Sequence, residues 1–373
     1  MRPAKLLFPV SCLAIGLAVL ISSPLLAEQN AGQTVAEMGL SESRVVLRKL
    51  PGWRPPKKIL IAVDGPTRLA WLQEVTKGTA TLLVAAANYR ELTERIIDAD
   101  ALIGPCTPGV IEAGASLKWV QAGEVGVENC VTIPSIQTGK VMLTNMRGVS
   151  ASTVAEHTMS LILALCRQLP LFIDSQQGVN GGPNTTVNPI ALQGKSVLVV
   201  GLGSNGREIA ERAHAFRMHV IATNIETNIR PDFVDYLGGA SELSTLVGKA
   251  DFIVNSTPLT KETLGLFNRE LFARMKRTAF FYNVGRGRTV VTDDLVNALK
   301  GGTIAGAGLD VIDPDPLPQG HPLRKMPNVI ITPHIGDKSD LKVERSWLLI
   351  KENLRRYVVG GKLLSVVDVK KGY

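Results

Sequence analysis

The stretch that most constrains this chain is Lys195–Asn224, KSVLVVGLGSNGREIAERAHAFRMHVIATN. Val197–Val200 is a short β-branched run of strand length, followed at once by Gly201-Leu-Gly203-Ser204-Asn205-Gly206. Ile209, Ala210, Ala213 and Phe216 then recur at helical spacing, and His219–Ala222 reads as a second strand. A GxGxxG between a strand and a helix, inside a βαβ unit, is the context in which the motif binds a dinucleotide. Gly201 permits the tight turn and Gly203 lets the backbone approach a pyrophosphate. Gly206 lets the helix lie close to the strand, and Ser204 and Asn205 open that helix against the phosphates. An acidic residue ending the second strand would favour NAD, but Asn224 stands there, with Glu226 and Arg230 beyond it. Asn accepts a ribose hydroxyl without repelling a 2′-phosphate, so NAD and NADP both stay open.

A chain of 373 residues, 45% apolar and 20% charged, has the length and the core for two globular domains. Arg2 and Lys5 precede an apolar run from Leu6 to Ile21, and Ala27 offers a cleavage point. This is the layout of an export signal over residues 1–27 rather than of a membrane span, though Leu25 is imperfect at minus three and leaves an uncleaved anchor open; an unused signal would leave the protein in the cytoplasm. The net charge of +8 is scattered rather than gathered in blocks, which gives no argument for nucleic acid. Beyond Cys12 three cysteines remain, Cys106, Cys130 and Cys166, with no metal-ligand spacing to another Cys or His. They are read as buried small apolar residues, and no metal is expected.

Residues 28–55 read as a lead-in arm or linker ending in the Pro-rich Pro51–Pro56. About five apolar runs then alternate with helical patterns up to residue 150: Ile59–Val63, Thr81–Ala85, Ala101–Gly104, Leu117–Gln121 and Val141–Thr144. Ser152–Leu169 is apolar nearly all round and should be a buried helix, with His157 read as a structural hydrogen-bonding group. Gln176–Asn188 reads as a loop. Six further strands are expected at Val197–Val200, Val220–Ala222, Phe252–Asn255, Ala279–Asn283, Gly306–Asp310 and Val329–Thr332, and a last helix at Leu341–Tyr357. Strands alternating with helices imply parallel sheets covered on both faces.

In such sheets ligands sit beyond the carboxyl ends of the strands. Three of those ends carry unusual residues: Arg286 after Asn283, Asp313 and Asp315 after Asp310, and His334 after Thr332. An arginine fork can hold a carboxylate and still donate to an adjacent carbonyl. A protonated imidazole can stabilise charge developing on that carbonyl oxygen and deliver a proton, and a carboxylate on its other nitrogen fixes the tautomer. The set suits reduction of a 2-keto acid by hydride transfer.

At this point several motifs taken together resemble the D-isomer-specific 2-hydroxyacid dehydrogenases: TNMRG (Thr144–Gly148), AEHT (Ala155–Thr158), GLGSNGREIA (Gly201–Ala210), NSTPLT (Asn255–Thr260), NVGRGR (Asn283–Arg288), GAGLDVIDPDPLP (Gly306–Pro318) and PNVIITPHIG (Pro327–Gly336). The terminal ENLRRYVVGGKLLSVVD looks like the glyoxylate/hydroxypyruvate reductase-like branch. The resemblance implies an α/β protein of two doubly wound parallel-sheet domains. One is a flavodoxin-like substrate domain (56–150 plus 337–373), the other a Rossmann NAD(P)-binding domain (151–336). It also implies a homodimer and a small 2-keto or 2-hydroxy acid as substrate. By the same resemblance Arg286 orients the substrate, His334 is the acid/base and Asp315 its partner carboxylate. Asp310 holds the nicotinamide carboxamide, while Asn224, Thr257 and Val284 line the cofactor. The amides of Val125 and Gly126, in the loop Ala122–Gly126, receive the substrate carboxylate. The chain departs from the pattern where Asp315 replaces the usual Glu and where Glu124 puts a negative charge in an anion-binding loop. Asn205 and Asn224 depart from it too, and so does the export signal in a cytosolic family. These departures keep a second reading open, a non-catalytic dinucleotide-binding protein outside the cytoplasm on the same fold.

Overall fold

The computed structural model describes residues 32–63, 66–176 and 188–373; the expected export signal and most of the expected loop at 176–188 lie outside them. The first sheet has five strands, β1 (Lys58–Ala62), β2 (Leu82–Ala86), β3 (Ala101–Gly104), β4 (Trp119–Ala122) and β5 (Met142–Thr144), in the order β2-β1-β3-β4-β5. All its neighbours pair in parallel. The second has seven: β6 (Ser196–Val200), β7 (His219–Thr223), β8 (Tyr236–Gly238), β9 (Phe252–Asn255), β10 (Phe280–Asn283), β11 (Gly306–Leu309) and β12 (Val329–Ile331). Their order, β12-β11-β10-β9-β6-β7-β8, reverses direction between β9 and β6, as in a doubly wound dinucleotide fold. Six strands were expected here; the extra one, β8, is an edge strand of three residues, too short to show a period.

Alternate residues of each strand feed separate cores, because successive side chains leave opposite faces. Val197 and Val199 join the core that includes the helix Ala151–Cys166, whereas Leu198 and Val200 join the core under the helix Thr292–Lys300. The first sheet divides in the same way, Ile59 and Ile61 on one face and Leu60 on the other. Each fully buried Leu, Ile or Val contributes about 1.5–3 kcal/mol, and this drives the layering.

The chain crosses between the domains twice, and the crossings touch. The helix Ala151–Cys166 begins the second domain, and the helix Asp340–Val358 returns to the first, where Leu349, Leu354 and Tyr357 pack with Ile59, Ile61 and Trp119. Arg345 donates to Ser152 Oγ (2.8 Å), and Thr153 and Ser339 share a hydroxyl contact at 3.3 Å. The stretch expected as a linker is, in its described part, an arm packed on the first domain. Met38 and Leu47 are buried, Glu42 bridges to Leu364, and the Arg48 amide donates to the Gly360 carbonyl.

The cysteine reading needs correction. Cys130 and Cys166 are buried apolar residues as read, the Cys166 thiol pushed up to about 12 by burial, but Cys106 and Cys130, with Cα atoms 5.7 Å apart, are joined by a disulfide. Twenty-four residues of separation hide the pairing from a one-dimensional reading.

The returning helix is held by buried Asn353. Its Nδ2 donates to Gln121 Oε1 (2.8 Å) and the Leu364 carbonyl (3.1 Å), and its Oδ1 accepts from the Leu364 amide (2.8 Å). Asn353→Leu would strand buried partners at a cost of about 1–3 kcal/mol each. Urea denaturation of the Asn353→Leu variant is expected to show a loss of about 3 kcal/mol or more.

Candidate active site

At the β6 turn, Gly201 takes φ +93, a left-handed conformation that a side chain would strain. A Cβ at Gly206 would stand 2.0 Å from the Gly201 carbonyl oxygen, so the helix Ser204–Ala215 can approach the turn only with glycine there. Gly203, the cap of that helix, is exposed and has nothing within 4 Å of where a Cβ would be. The first amides of the helix, at Ser204 and Asn205, open onto this space. The residues fit a pyrophosphate: a clear approach, orphan N–H groups and the positive end of a helix dipole.

The loop after β10 is fixed from below by a buried polar network. Asn255 Nδ2 donates to Asn283 Oδ1 (2.9 Å) and Thr289 Oγ1 (2.7 Å). Asn283 Nδ2 and Thr289 Oγ1 in turn donate to the Arg286 carbonyl at 3.1 and 2.6 Å. Val284 is buried, and Thr257 spends its hydroxyl on Asn255 Oδ1 (2.7 Å), so both shape the wall beside the glycine turn.

Across the cleft, the loop after β4 faces Arg286. Its carbonyls are taken by the first domain: Glu124 O accepts from the Met146 amide and Val125 O from Asn145 Nδ2 (2.8 Å). Among the described residues the amides of Val125 and Gly126 donate to nothing. A Cβ at Gly126 would lie 2.7 Å from Arg286 Nη2, so the guanidinium abuts the loop. Glu124 is exposed and makes no ion pair among the described residues. Arg286 Nε donates instead to Glu128 Oε1 at 2.7 Å.

The loop after β12 carries His334 at φ +53, an uncommon conformation for a residue with a side chain. Its amide donates to the carbonyls of Asp310 and Thr332, both at 3.0 Å. Its Nδ1 lies 3.3 Å from Asp315 Oδ2, so the shorter carboxylate does reach the ring. Both side chains are about half exposed. Because β10, β11 and β12 are adjacent and parallel, Arg286, Asp315 and His334 emerge at one edge of the sheet.

This arrangement has close counterparts. Residues 159–336 match the model of the D-isomer specific 2-hydroxyacid dehydrogenase NAD-binding domain. A glyoxylate reductase of Thermofilum pendens is 35% identical over 278 residues, 72% of this chain and 80% of that protein. The human glyoxylate reductase/hydroxypyruvate reductase is 32% identical over 78% of this chain and 84% of its own length. The chain belongs to the D-isomer-specific 2-hydroxyacid dehydrogenases. The fold agrees with that of a family member from Xanthobacter autotrophicus Py2 solved with NADPH and MES, at TM-score 0.72 and 28% identity over 86% of this chain and all of that one.

This 2-hydroxyacid dehydrogenase therefore takes NAD or NADP. At the ribose end, Asn224 Nδ2 donates to the Glu226 carbonyl (3.1 Å) and Glu226 pairs with Lys371 (3.0 Å). Arg230 is turned onto the Val234 carbonyl rather than toward the strand end.

Asp310 does a job that sequence reasoning did not foresee. Oδ1 accepts from Thr332 Oγ1 (2.7 Å) and the Ile335 amide (2.9 Å), and Oδ2 from the Gly336 amide (2.9 Å). His157 Nε2 lies 2.9 Å from Thr332 Oγ1 and 3.3 Å from Asp310 Oδ1. The carboxylate thus folds the turn that displays His334. Glu128 was missed as well, as were Asn255, Asn283 and Thr289. The available signal was a polar residue ending each of two otherwise apolar strands. Burial pushes the Asp310 carboxyl up, but the hydrogen bonds from His157, Thr332, Ile335 and Gly336 outweigh it and hold the pKa down to about 2.

A carboxyl depressed below the free-Asp value near 3.9 contributes fully above that pH and loses its contribution as pH falls through about 2. Asp310→Asn is expected to cost about 2 kcal/mol near neutrality, since hydrogen bonds to a charged group are worth about 1.5–3 kcal/mol each. Urea melts between pH 6 and pH 2 should show the gap between parent and variant shrinking below pH 4.

Proposed function

We propose that this dehydrogenase reduces a small 2-keto acid of the glyoxylate or hydroxypyruvate kind. The observation that carries the reading is the contact across the cleft, where the Arg286 guanidinium abuts Gly126 in a loop whose Val125 and Gly126 amides have no partner among the described residues. A carboxylate placed there meets both the amides and the Nη edge of Arg286, and its neighbouring carbonyl turns toward His334. Relatives named glyoxylate reductase and hydroxypyruvate reductase support that substrate size.

When bound along the Gly201–Gly206 turn, the reduced dinucleotide supplies a hydride. Arg286 holds the keto acid and draws electron density toward the carbonyl oxygen. His334, as the imidazolium with Nδ1–H directed at Asp315, gives its Nε2 proton to that oxygen as hydride reaches the carbon and is left neutral, so the negative charge never develops in full. In the oxidative direction the same nitrogen takes the proton back. Gly203 and the first amides of its helix would hold the pyrophosphate, and Val284 and Thr257 would line the cofactor.

His334→Ala is expected to lower kcat by about 10²–10⁴ with little change in NAD(P)H affinity. Arg286→Ala should act mainly on KM for the keto acid, by tenfold or more. Steady-state kinetics with NADH and NADPH against glyoxylate, hydroxypyruvate and pyruvate measure both, and parental rates in both variants would refute the roles.

We also place the working enzyme outside the cytoplasm, on the layout of residues 1–27 and on the Cys106–Cys130 disulfide, a bond at home in oxidising compartments. Protein recovered from the extracytoplasmic fraction should begin after Ala27 and, once denatured without reductant, show one free thiol, Cys166. A homodimer is proposed on the exposed apolar residues Leu169, Phe172 and Ile173 of the short helix Leu169–Gln176, with solution mass as its test.

A further inference from the structure

The proposed chemistry makes no use of Glu128, yet Glu128 holds the arginine on which that chemistry turns. The Glu128 Oε1–Arg286 Nε hydrogen bond is 2.7 Å long, and Arg286 Nη1 donates to the Gly285 carbonyl at 2.8 Å. The two partners come from opposite walls, Glu128 from the loop after β4 and Arg286 from the loop after β10. Both are about two-thirds shielded from solvent, with side-chain exposures of 34% and 29%.

A guanidinium carries five N–H donors in one plane, and its two anchors leave both Nη2 hydrogens and one on Nη1. A Cβ at Gly126 would stand 2.7 Å from Arg286 Nη2 and 2.8 Å from Glu128 Oε2, so carboxylate, guanidinium and loop backbone meet at one point. Glu128 makes a single hydrogen bond, at Nε, and does not take the parallel pair that a bound carboxylate substrate would take. The Nη2 group is left beside the Gly126 backbone, in a loop whose Val125 and Gly126 amides donate to nothing among the described residues.

We propose that Glu128 is a positioning residue for the keto-acid site. It clamps Nε from the substrate domain and so turns the Nη edge of Arg286 onto the two loop amides. The inference rests on the functional reading above. Without the clamp a long side chain with many rotamers sweeps the cleft, and each substrate molecule must order it anew. With the clamp, that ordering is complete before the substrate arrives.

The test compares the parent with Glu128→Ala, Glu128→Gln and Arg286→Ala. It reads KM and kcat for glyoxylate, the affinity for oxamate of protein saturated with the preferred reduced cofactor, and melting temperature. Glu128→Ala is expected to raise KM and weaken oxamate binding at least tenfold, with kcat within about threefold of the parent and an unchanged melting temperature. Glu128→Gln keeps an oxygen facing Nε and should recover most of the loss, a rescue that a purely structural role would not produce. Unchanged affinity in Glu128→Ala overturns the proposal, and so does tighter binding in either Glu128 variant, which would make the carboxylate an obstacle to the substrate. Unchanged affinity in Arg286→Ala, or a parent that neither binds nor turns over a keto acid, refutes the functional reading itself.

Discussion

A buried carboxylate, Asp310, governs the reactive edge of the second domain. It sits at the end of β11 and accepts from a hydroxyl and two successive amides of the neighbouring loop. Those bonds bend 332–336 into a turn tight enough that Gly336 cannot bear a side chain, since a Cβ there would stand 2.7 Å from Asp310 Oδ2. The left-handed backbone of His334 is the outcome of that bend. A histidine on an ordinary extended loop would keep its chemistry but lose its aim. The uncommon backbone conformation of His334 is thus held in place by electrostatics one strand away.

The glycine turn and the polar network under Arg286 repeat this logic. Gly201 and Gly206 let a helix end approach a strand end, and Asn255, Asn283 and Thr289 tie one loop to the floor. In each case rigid strands carry flexible chemistry, and the loops stay loops only where a ligand must enter. Glu128 extends the scheme across the cleft, so that the two walls share the task of presenting one guanidinium.

Much of this was legible in the amino-acid order. Runs such as VLVV and FFYN are buried on both faces, and their spacing announces parallel sheets. Arg286, Asp315 and His334 could be found because each follows a strand end, where the fold collects ligands. What escaped notice depends on three-dimensional proximity. The pairing of Cys106 with Cys130 and of Glu128 with Arg286 has no periodic trace, and β8 is too short to leave one. Asp310 was read, by resemblance, as a strand-end residue that holds the nicotinamide carboxamide, but its partners Thr332, Ile335 and Gly336 lie beyond the next strand and could not be counted in advance. The arm before β1 looked like a linker because its apolar residues are sparse; it packs because Met38 and Leu47 find a ready surface near the last helix.

The contact between the two crossings has a mechanical consequence. Ser152 and Thr153, at the root of the helix that carries His157, are bonded to Arg345 and Ser339 at the root of the returning helix. The two domains are tied to each other at this point by side-chain hydrogen bonds. One turn further along the first helix, His157 grips the Asp310–Thr332 pair. The tie between the domains and the support of the His334 turn thus share one helix, so a displacement of that helix would reach the seat of the imidazole as well.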